Sequence, residues 1–131
     1  MLKRKLYKKS NSKKVASEYF VFSLIGNEYA TIELTSPNLS YDKANRTYYL
    51  TLDSGNSFYI SYSIKYNTSY VISFSLRDES YSSFMSVDNT GYVTTLKTSE
   101  DKVGEIIIRS IGQNGILDEV YLKINLNKSD V

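Results

Sequence analysis

Apolar and polar residues alternate with a period of two along most of this chain. The clearest stretch runs from Phe58 to Tyr66, where Phe58, Ile60, Tyr62, Ile64 and Tyr66 are separated by a tyrosine, two serines and a lysine. A period of two puts alternate side chains on opposite faces of a β-strand, and no stretch of helical length repeats apolar residues about every 3.6 positions. The pattern predicts an all-β protein.

Turn-forming residues divide the alternating segments into short strands. Gly26-Asn27, Asp53 to Asn56 and Gly112 to Gly115 are predicted turns, because glycine tolerates positive φ and asparagine or aspartate side chains bond the local backbone. The predicted strands are residues 19–25, 29–34, 48–52, 58–66, 70–76, 85–87, 92–94, 105–110 and 120–126. Strands spaced about ten residues apart are typical of a sandwich of two antiparallel sheets.

The same alternation selects the residues of the core. The predicted core residues are Phe58, Ile60, Ile64, Ile72, Phe74, Val87, Val93, Ile106, Ile108, Leu122 and Ile124. A register slip of one residue would turn the opposite face of any one strand inward, so the assignment depends on each strand keeping its register.

The closing part of the chain carries a family resemblance. Val87-Asp88-Asn89-Thr90-Gly91-Tyr92-Val93-Thr94 is a short hairpin, and an apolar strand and a last alternating strand follow it. This arrangement resembles the bacterial immunoglobulin-like domain, group 2, over roughly Tyr48 to Leu126. Phe74 stands where that family often has a tryptophan, and Gly55 where it has a glycine. The resemblance implies an Ig-like sandwich that acts as a spacer or a binding surface rather than as an enzyme.

Length and composition fit one such domain with additions before it. The chain has 131 residues, 13 tyrosines, 5 phenylalanines and no cysteine, so a single core without disulfides is expected. We predict a basic N-terminal arm over residues 1–18 and an Ig-like domain over residues 19–131. The hairpin from Tyr19 to Leu34 lies outside the family's span, and either adds strands to a sheet or meets a partner.

The N-terminal arm is strongly basic. Residues 1–14 hold seven of the 16 basic side chains and no acid, whereas residues 15–131 hold nine basic and fourteen acidic ones, so the two segments carry +7 and −5. The readings are a solvated tail, a non-specific nucleic-acid contact, or an anchor on an acidic protein surface; we favour the anchor. Its candidate partner-binding residues are Leu2, Lys3, Arg4, Lys5, Leu6, Tyr7, Lys8, Lys9, Lys13 and Lys14.

The chain offers little catalytic chemistry. It has no histidine and no cysteine, which removes the commonest general base, metal ligands and nucleophile. Acid pairs occur at Asp78-Glu79, Glu100-Asp101 and Asp118-Glu119, in or near predicted turns, where they are expected to be solvated or to hold the turn. We predict no enzymatic activity, no cofactor and no metal; the alternative is a calcium site at Asp78, Glu79, Asp88 or Glu100.

The tyrosines allow two interpretations. Tyr59, Tyr62, Tyr66, Tyr70, Tyr81 and Tyr92 could form a glycan-stacking or partner-binding face. The simpler interpretation, which we prefer, is that some of them fill the core and the others cover exposed sheet.

Two functions remain at this stage. The first is a structural protein of a bacteriophage particle, a capsid decoration or head-fibre-base protein that binds capsid or other virion proteins in many copies or as a homo-oligomer. Domains like the one resembled recur on phage heads and tails, and virions assemble in the host cytoplasm without an export signal. The alternative is a module of a bacterial surface protein that binds a cell-surface glycan. The apolar run 19–25 is too short to span a membrane, and specific nucleic-acid recognition is not expected.

Overall fold

The computed structural model describes residues 30–65 and 69–129. The basic arm and the first predicted strand, 19–25, lie outside the described residues, so the predicted N-terminal hairpin and the arm's site residues stay predictions. The elements are β1 (Thr31–Leu34), β2 (Ser40–Asp42), β3 (Thr47–Asp53), β4 (Ser57–Tyr59), β5 (Tyr62–Lys65), β6 (Val71–Leu76), a 3-10 helix (Glu79–Ser83), β7 (Met85–Val87), β8 (Tyr92–Thr95), β9 (Lys102–Gly112) and β10 (Gly115–Asn127).

The larger sheet has five strands in the order β2-β3-β10-β9-β6. Its centre is the long antiparallel hairpin of β9 and β10, in which Ile106 lies opposite Leu122 and Gly112 opposite Gly115, as the predicted turn requires. The pairing of β3 with β10 is parallel, unlike the uniformly antiparallel pairing expected from the sequence. A tight turn cannot join parallel neighbours, and β3 and β10 are separated along the chain by residues 54–114, which contain strands of both layers.

The smaller layer consists of the pair β1-β5 and the three strands β4-β8-β7. The sequence predicted one strand from Phe58 to Tyr66, but its pairing partner changes partway along. β4 pairs with β8, and β5 pairs with β1. Between them, the Ile60 amide donates to the Gly91 carbonyl at 2.9 Å, and the Thr35 amide donates to the Ser61 carbonyl at 2.8 Å. The alternation persists through this break, since Ile60 stays buried and Ser61 exposed.

The core lies between the two layers. Of the predicted core residues, Ile60, Phe74, Val93, Ile106, Ile108, Leu122 and Ile124 are buried, and Phe58, Ile64, Ile72 and Val87 are half-buried against them. The core prediction is therefore confirmed. It omitted the buried residues Ile32, Leu34, Tyr48, Leu50, Phe84, Met85, Val120 and Leu126. Most of these flank the segments used for the prediction or lie in β1 and β3.

The predicted hairpin at Asp88 is present. The Asp88 carboxylate accepts hydrogen bonds from the Thr90 amide at 2.9 Å and from the Tyr92 amide at 3.0 Å. Gly91 has a φ of +86°, and a Cβ added there would lie 3.0 Å from Cζ of Phe74. A glycine is needed at this point for both reasons, and the buried Phe74 ring fills the space beneath the turn.

The topology is that of an immunoglobulin-like sandwich. One layer is formed by β1, β4 with β5, β8 and β7, and the other by β6, β9 and β10, which matches the ABED and CFG sheets of such domains. Strands β2 and β3 extend the second sheet beyond β10. The all-β, Ig-like fold class is confirmed.

Candidate binding face

The outer surface of the larger sheet carries a set of polar and aromatic side chains, which we call the polar face. Residues of β9 and β10 that alternate with core positions point to this side, because successive side chains of a strand face opposite ways. The polar face consists of Asn45, Thr47, Tyr49, Arg77, Glu105, Arg109, Glu119, Tyr121 and Lys123.

Two ion pairs and one aromatic ring connect much of this face. Arg77 Nη1 lies 2.7 Å from Glu105 Oε1, and its guanidinium carbon lies 4.3 Å from the centroid of the Tyr121 ring. The Tyr121 hydroxyl donates to Glu119 Oε1 at 2.6 Å, and Arg109 Nε donates to Glu119 Oε2 at 2.5 Å. The ring of Tyr121 is thereby held by Arg77 on its face and by Glu119 at its hydroxyl.

These contacts change the ionisation of the groups that make them. The hydrogen bond from Tyr121 and the bond from Arg109 lower the pKa of Glu119 below its ordinary value, because both stabilise the carboxylate. The same bond raises the pKa of Tyr121, since the phenol must lose the donated proton beside an anion. Glu105 raises the pKa of Arg77. Near neutral pH, these groups are held as two ion pairs and a neutral phenol.

A groove of about 270 Å³ opens on the polar face. It is lined by Asn45, Thr47, Tyr49, Arg77, Glu105, Tyr121 and Lys123. The Lys123 amine and the Tyr49 hydroxyl form no hydrogen bond or ion pair with any other described residue. The groove therefore joins a fixed aromatic ring to free hydrogen-bond donors, which is an arrangement suited to binding.

The acid pairs serve structure in different ways. Asp78 caps the 3-10 helix by accepting from the Ser80 amide at 2.9 Å, and Asp101 accepts from the Lys128 amide at 2.9 Å. Both agree with the expectation of turn-holding acids. The pair Asp118-Glu119 differs, because it lies within β10 and its two side chains face opposite sides of the sheet.

Asp118 forms a clamp that the sequence analysis missed. Its side chain is only 8% exposed, pairs with Arg46 Nη1 at 2.7 Å, and accepts from the Ile32 amide at 2.7 Å. It thus ties β10 to β1 in the other layer and to the turn before β3. Arg46 has a φ of +53°, a left-handed conformation uncommon outside glycine and asparagine. One acid-arginine contact over a separation of 72 positions leaves no local pattern in the sequence.

The calcium alternative gains no support from these positions. Residues 30–65 and 69–129 contain no group of three or more acidic, histidine or cysteine side chains that could hold a metal ion. The carboxylates of Asp78 and Asp88 are bonded within their own turns, which lowers the pKa of Asp78 mainly through the Ser80 amide and that of Asp88 mainly through the Thr90 hydroxyl.

The same described ranges include no helix of the length and apolar character that a membrane span requires.

The tyrosines singled out from the sequence do not form one face. Tyr62 packs near Phe74, with ring centroids 6.0 Å apart, and Tyr81 near Phe84, so both belong to the margin of the core. Tyr59 and Tyr92 pair on the smaller layer, with ring centroids 4.6 Å apart. Tyr66 lies outside the described residues. The interpretation that some tyrosines fill the core while others cover sheet is confirmed. The ones that line the groove, Tyr49 and Tyr121, were not among those selected.

Comparison with known proteins gives a fold but no family. No protein-family model and no curated protein sequence matches the chain. Among solved structures it is similar to the cis-dimer structure of protocadherin gammaB7 repeats EC3-6, with a TM-score of 0.51 and 12% identity over 78% of this chain and 26% of that one. It is also similar to mouse cadherin-23 EC22-24, with a TM-score of 0.45 and 13% identity over 76% of this chain and 33% of that one.

The chain therefore spans about a quarter of the protocadherin chain and a third of the cadherin-23 chain. The protocadherin similarity supports an Ig-like β-sandwich fold, in agreement with the strand order described above.

Proposed function

We propose that this protein is a non-enzymatic, accessory structural protein of a bacteriophage particle, attached through residues 1–18 to capsid or other virion proteins. The Ig-like body would project from the particle surface. The protein would be present in many copies and located in the virion, after assembly in the host cytoplasm. The finer family assignment, bacterial Ig-like group 2, belongs to this proposal and is supported by the hairpin at Asp88 and by Phe74 beneath it.

The observation that carries this proposal is the division of charge along the chain. The arm has seven basic residues in its first fourteen positions, whereas the rest of the chain is net negative. The arginines of the described body, Arg46, Arg77 and Arg109, are each paired with an acid of the same body. An unbalanced cationic segment that precedes a net negative body in the chain is suited to an acidic partner surface, and steering by exposed charges makes such docking fast.

The proposed lack of enzymatic activity rests on side-chain chemistry. The acids of the described body that show lowered pKa values, Asp78, Asp88 and Glu119, are held as carboxylates by turn or ion-pair contacts. A general acid working near neutral pH needs the opposite shift.

The test is deletion of residues 1–17, followed by mass spectrometry of purified particles. We expect the truncated protein to fold, with an unchanged circular dichroism spectrum, and to be lost from particles. A matched variant with Lys65→Gln, which removes a cation from the body and leaves the arm intact, should be incorporated normally. Full occupancy by the truncated protein, or absence of the full-length protein from virions, would contradict the proposal.

A second candidate function is a carbohydrate-binding or cell-surface-binding module of a bacterial surface protein. The groove on the polar face favours it, because tyrosine rings with adjacent donors are common in recognition surfaces. The two functions are separable by measurement, since a surface module would bind its ligand without the arm, and particle attachment would fail without it.

A further inference from the structure

The free groups of the groove are mostly hydrogen-bond donors. Lys123 offers an ammonium with three donors, Tyr49 a hydroxyl, and Arg77 the N–H groups left over from its bond to Glu105. The charged side chains of the groove are two cations, Arg77 and Lys123, and one anion, Glu105. The groove is therefore locally positive on a body with a negative net charge, and it would favour a ligand that carries acceptors and an anionic group.

The main chain beneath the groove is fully engaged in sheet pairing. Tyr49 and Tyr121 lie on the neighbouring strands β3 and β10, and Lys123 lies directly opposite Tyr49 and Glu105 in the two ladders. A peptide that binds by strand addition needs an open sheet edge, which interior strands do not offer. Recognition in this groove must therefore come from side chains.

We propose that this groove binds a carboxylate-bearing sugar. A pyranose ring would pack against the aromatic ring of Tyr49, beside the stacked pair of Arg77 and Tyr121, and its carboxylate would pair with Lys123. Sugar hydroxyls would form hydrogen bonds with the Asn45 side chain on one side of the groove and with the second carboxylate oxygen of Glu105 on the other. Charge-assisted bonds to the carboxylate supply specificity, and the rings supply the apolar contact.

The size and charge of the groove fit a small anionic ligand better than a nucleic acid. Its volume of about 270 Å³ is somewhat smaller than that of most small-molecule pockets, which suits one or two sugar rings. Nucleic-acid binding depends on several cations that neutralise successive phosphates, and here Lys123 is the one cation of the groove without an acidic partner among the described residues.

This inference deepens the carbohydrate-binding alternative, and it does not depend on the virion proposal, since the site lies on the body and is measured on the isolated full-length protein. NMR titration of ¹⁵N-labelled protein with trigalacturonic acid is the direct test. We expect saturable shifts of the amides of Thr47, Tyr49, Tyr121 and Lys123. The uncharged trimethyl ester of the same trisaccharide should bind roughly tenfold more weakly, because it loses the charge-assisted bond.

Two variants assign the binding to the groove. Lys123→Gln should weaken the binding of trigalacturonic acid roughly tenfold and leave the binding of the ester unchanged. Lys102→Gln is the matched control, because this lysine lies on β9 but is placed on the opposite side of that strand from Glu105. Its affinity for both ligands should equal that of the unaltered protein. Tyr49→Ser should weaken the binding of both ligands. Thermal melting of each variant verifies that the fold is kept.

Titration with a triglutamate peptide tests whether the sugar ring contributes to the binding affinity. Weaker binding of triglutamate than of trigalacturonic acid supports the proposal. Equal or tighter binding of the peptide would overturn it in favour of an acidic peptide. Absence of saturable binding of trigalacturonic acid up to about 10 mM, a map of shifts outside the groove, or equal loss in the two lysine variants would also overturn it.

Discussion

Asp118 and Glu119 are neighbours in β10, yet their carboxylates act in two different regions of the molecule. Asp118 is turned towards the other layer, is nearly buried, and ties β10 to Arg46 and to the Ile32 amide. Glu119 is turned outward to the polar face, where its side chain is 28% exposed and joins Arg109 to Tyr121. The comparison shows how one step along a strand separates a group that holds the fold from a group that shapes a surface.

The largest effect is expected from removal of the buried carboxylate. Asp118→Ala leaves the Ile32 amide without its acceptor and Arg46 without its counter-charge, so we expect a loss of about 2–3 kcal/mol in the free energy of unfolding. Urea denaturation followed by tyrosine fluorescence measures it. Asp101→Ala is the matched control, since that exposed carboxylate accepts one backbone hydrogen bond, and should cost under about 1 kcal/mol. Equal losses in the two variants would remove the distinction between clamp and surface.

A smaller loss of stability is expected from a substitution on the polar face. Glu119→Gln keeps the shape of the side chain but removes its charge, so the ion pair with Arg109 is lost. Exposed ion pairs contribute about 0.2–1 kcal/mol, and we expect a loss of stability in that range by the same urea measurement. Double substitution with Asp118→Ala should give a loss close to the sum of the single losses if the two carboxylates act independently. A strong departure from additivity would show that the clamp and the surface network are coupled.

The pH dependence should also differ between Glu119→Gln and the unaltered protein. The folded pKa of Glu119 lies below its ordinary value of 4.5, so its contribution to stability is present above that value and is lost as pH falls through the folded pKa. Between the two pKa values, the unaltered protein should lose stability on acidification more steeply than the variant does. Parallel stability curves for the two proteins below pH 4.5 would contradict the assigned role of Glu119.

The smallest effect is expected from one hydroxyl group. Tyr121→Phe removes the bond that contributes most to the low pKa of Glu119, so the pKa of Glu119 should rise while stability changes by under about 1 kcal/mol. Carboxyl chemical shifts across an NMR pH titration report the pKa. Tyr49→Phe is a suitable control, because the Tyr49 hydroxyl has no partner among the described residues. An unchanged pKa of Glu119 in Tyr121→Phe would show that Arg109 alone sets it.

Local pattern was sufficient for most strands, the described turns and much of the core, but it missed the short strand β2 at Ser40–Asp42. The turn at Gly112 to Gly115 and the hairpin at Asp88 depend on residues within a few positions, and both were predicted at their observed places. The predicted single strand from Phe58 to Tyr66 was wrong in one respect, because its break arises where β8 is replaced by β1 as the neighbour. A change of neighbour does not alter the alternation of side chains, and leaves no sign in the sequence.

The candidate site was less accessible to sequence reasoning. Tyr49, Arg77 and Tyr121 are separated by 28 and 44 positions along the chain and meet because β3, β9 and β10 are adjacent and Arg77 follows β6. One signal was present: Glu105, Arg109, Glu119, Tyr121 and Lys123 all occupy the non-core positions of the two most regular strands. Reading those positions as a common outward face would have indicated a polar surface, though not which partners meet.

By itself, the sequence determined the fold class, the alternation of the strands, the hairpins at Asp88 and at Gly112 to Gly115, and the split between a basic arm and an acidic remainder. These depend on side-chain period and turn chemistry, which are properties of neighbouring residues. Only the tertiary structure decided the parallel pairing of β3 with β10, the clamp at Asp118, and the groove between Tyr49 and Arg77. Those features are contacts between residues far apart in the chain, and strand order, which places them together, is set by how the whole core packs.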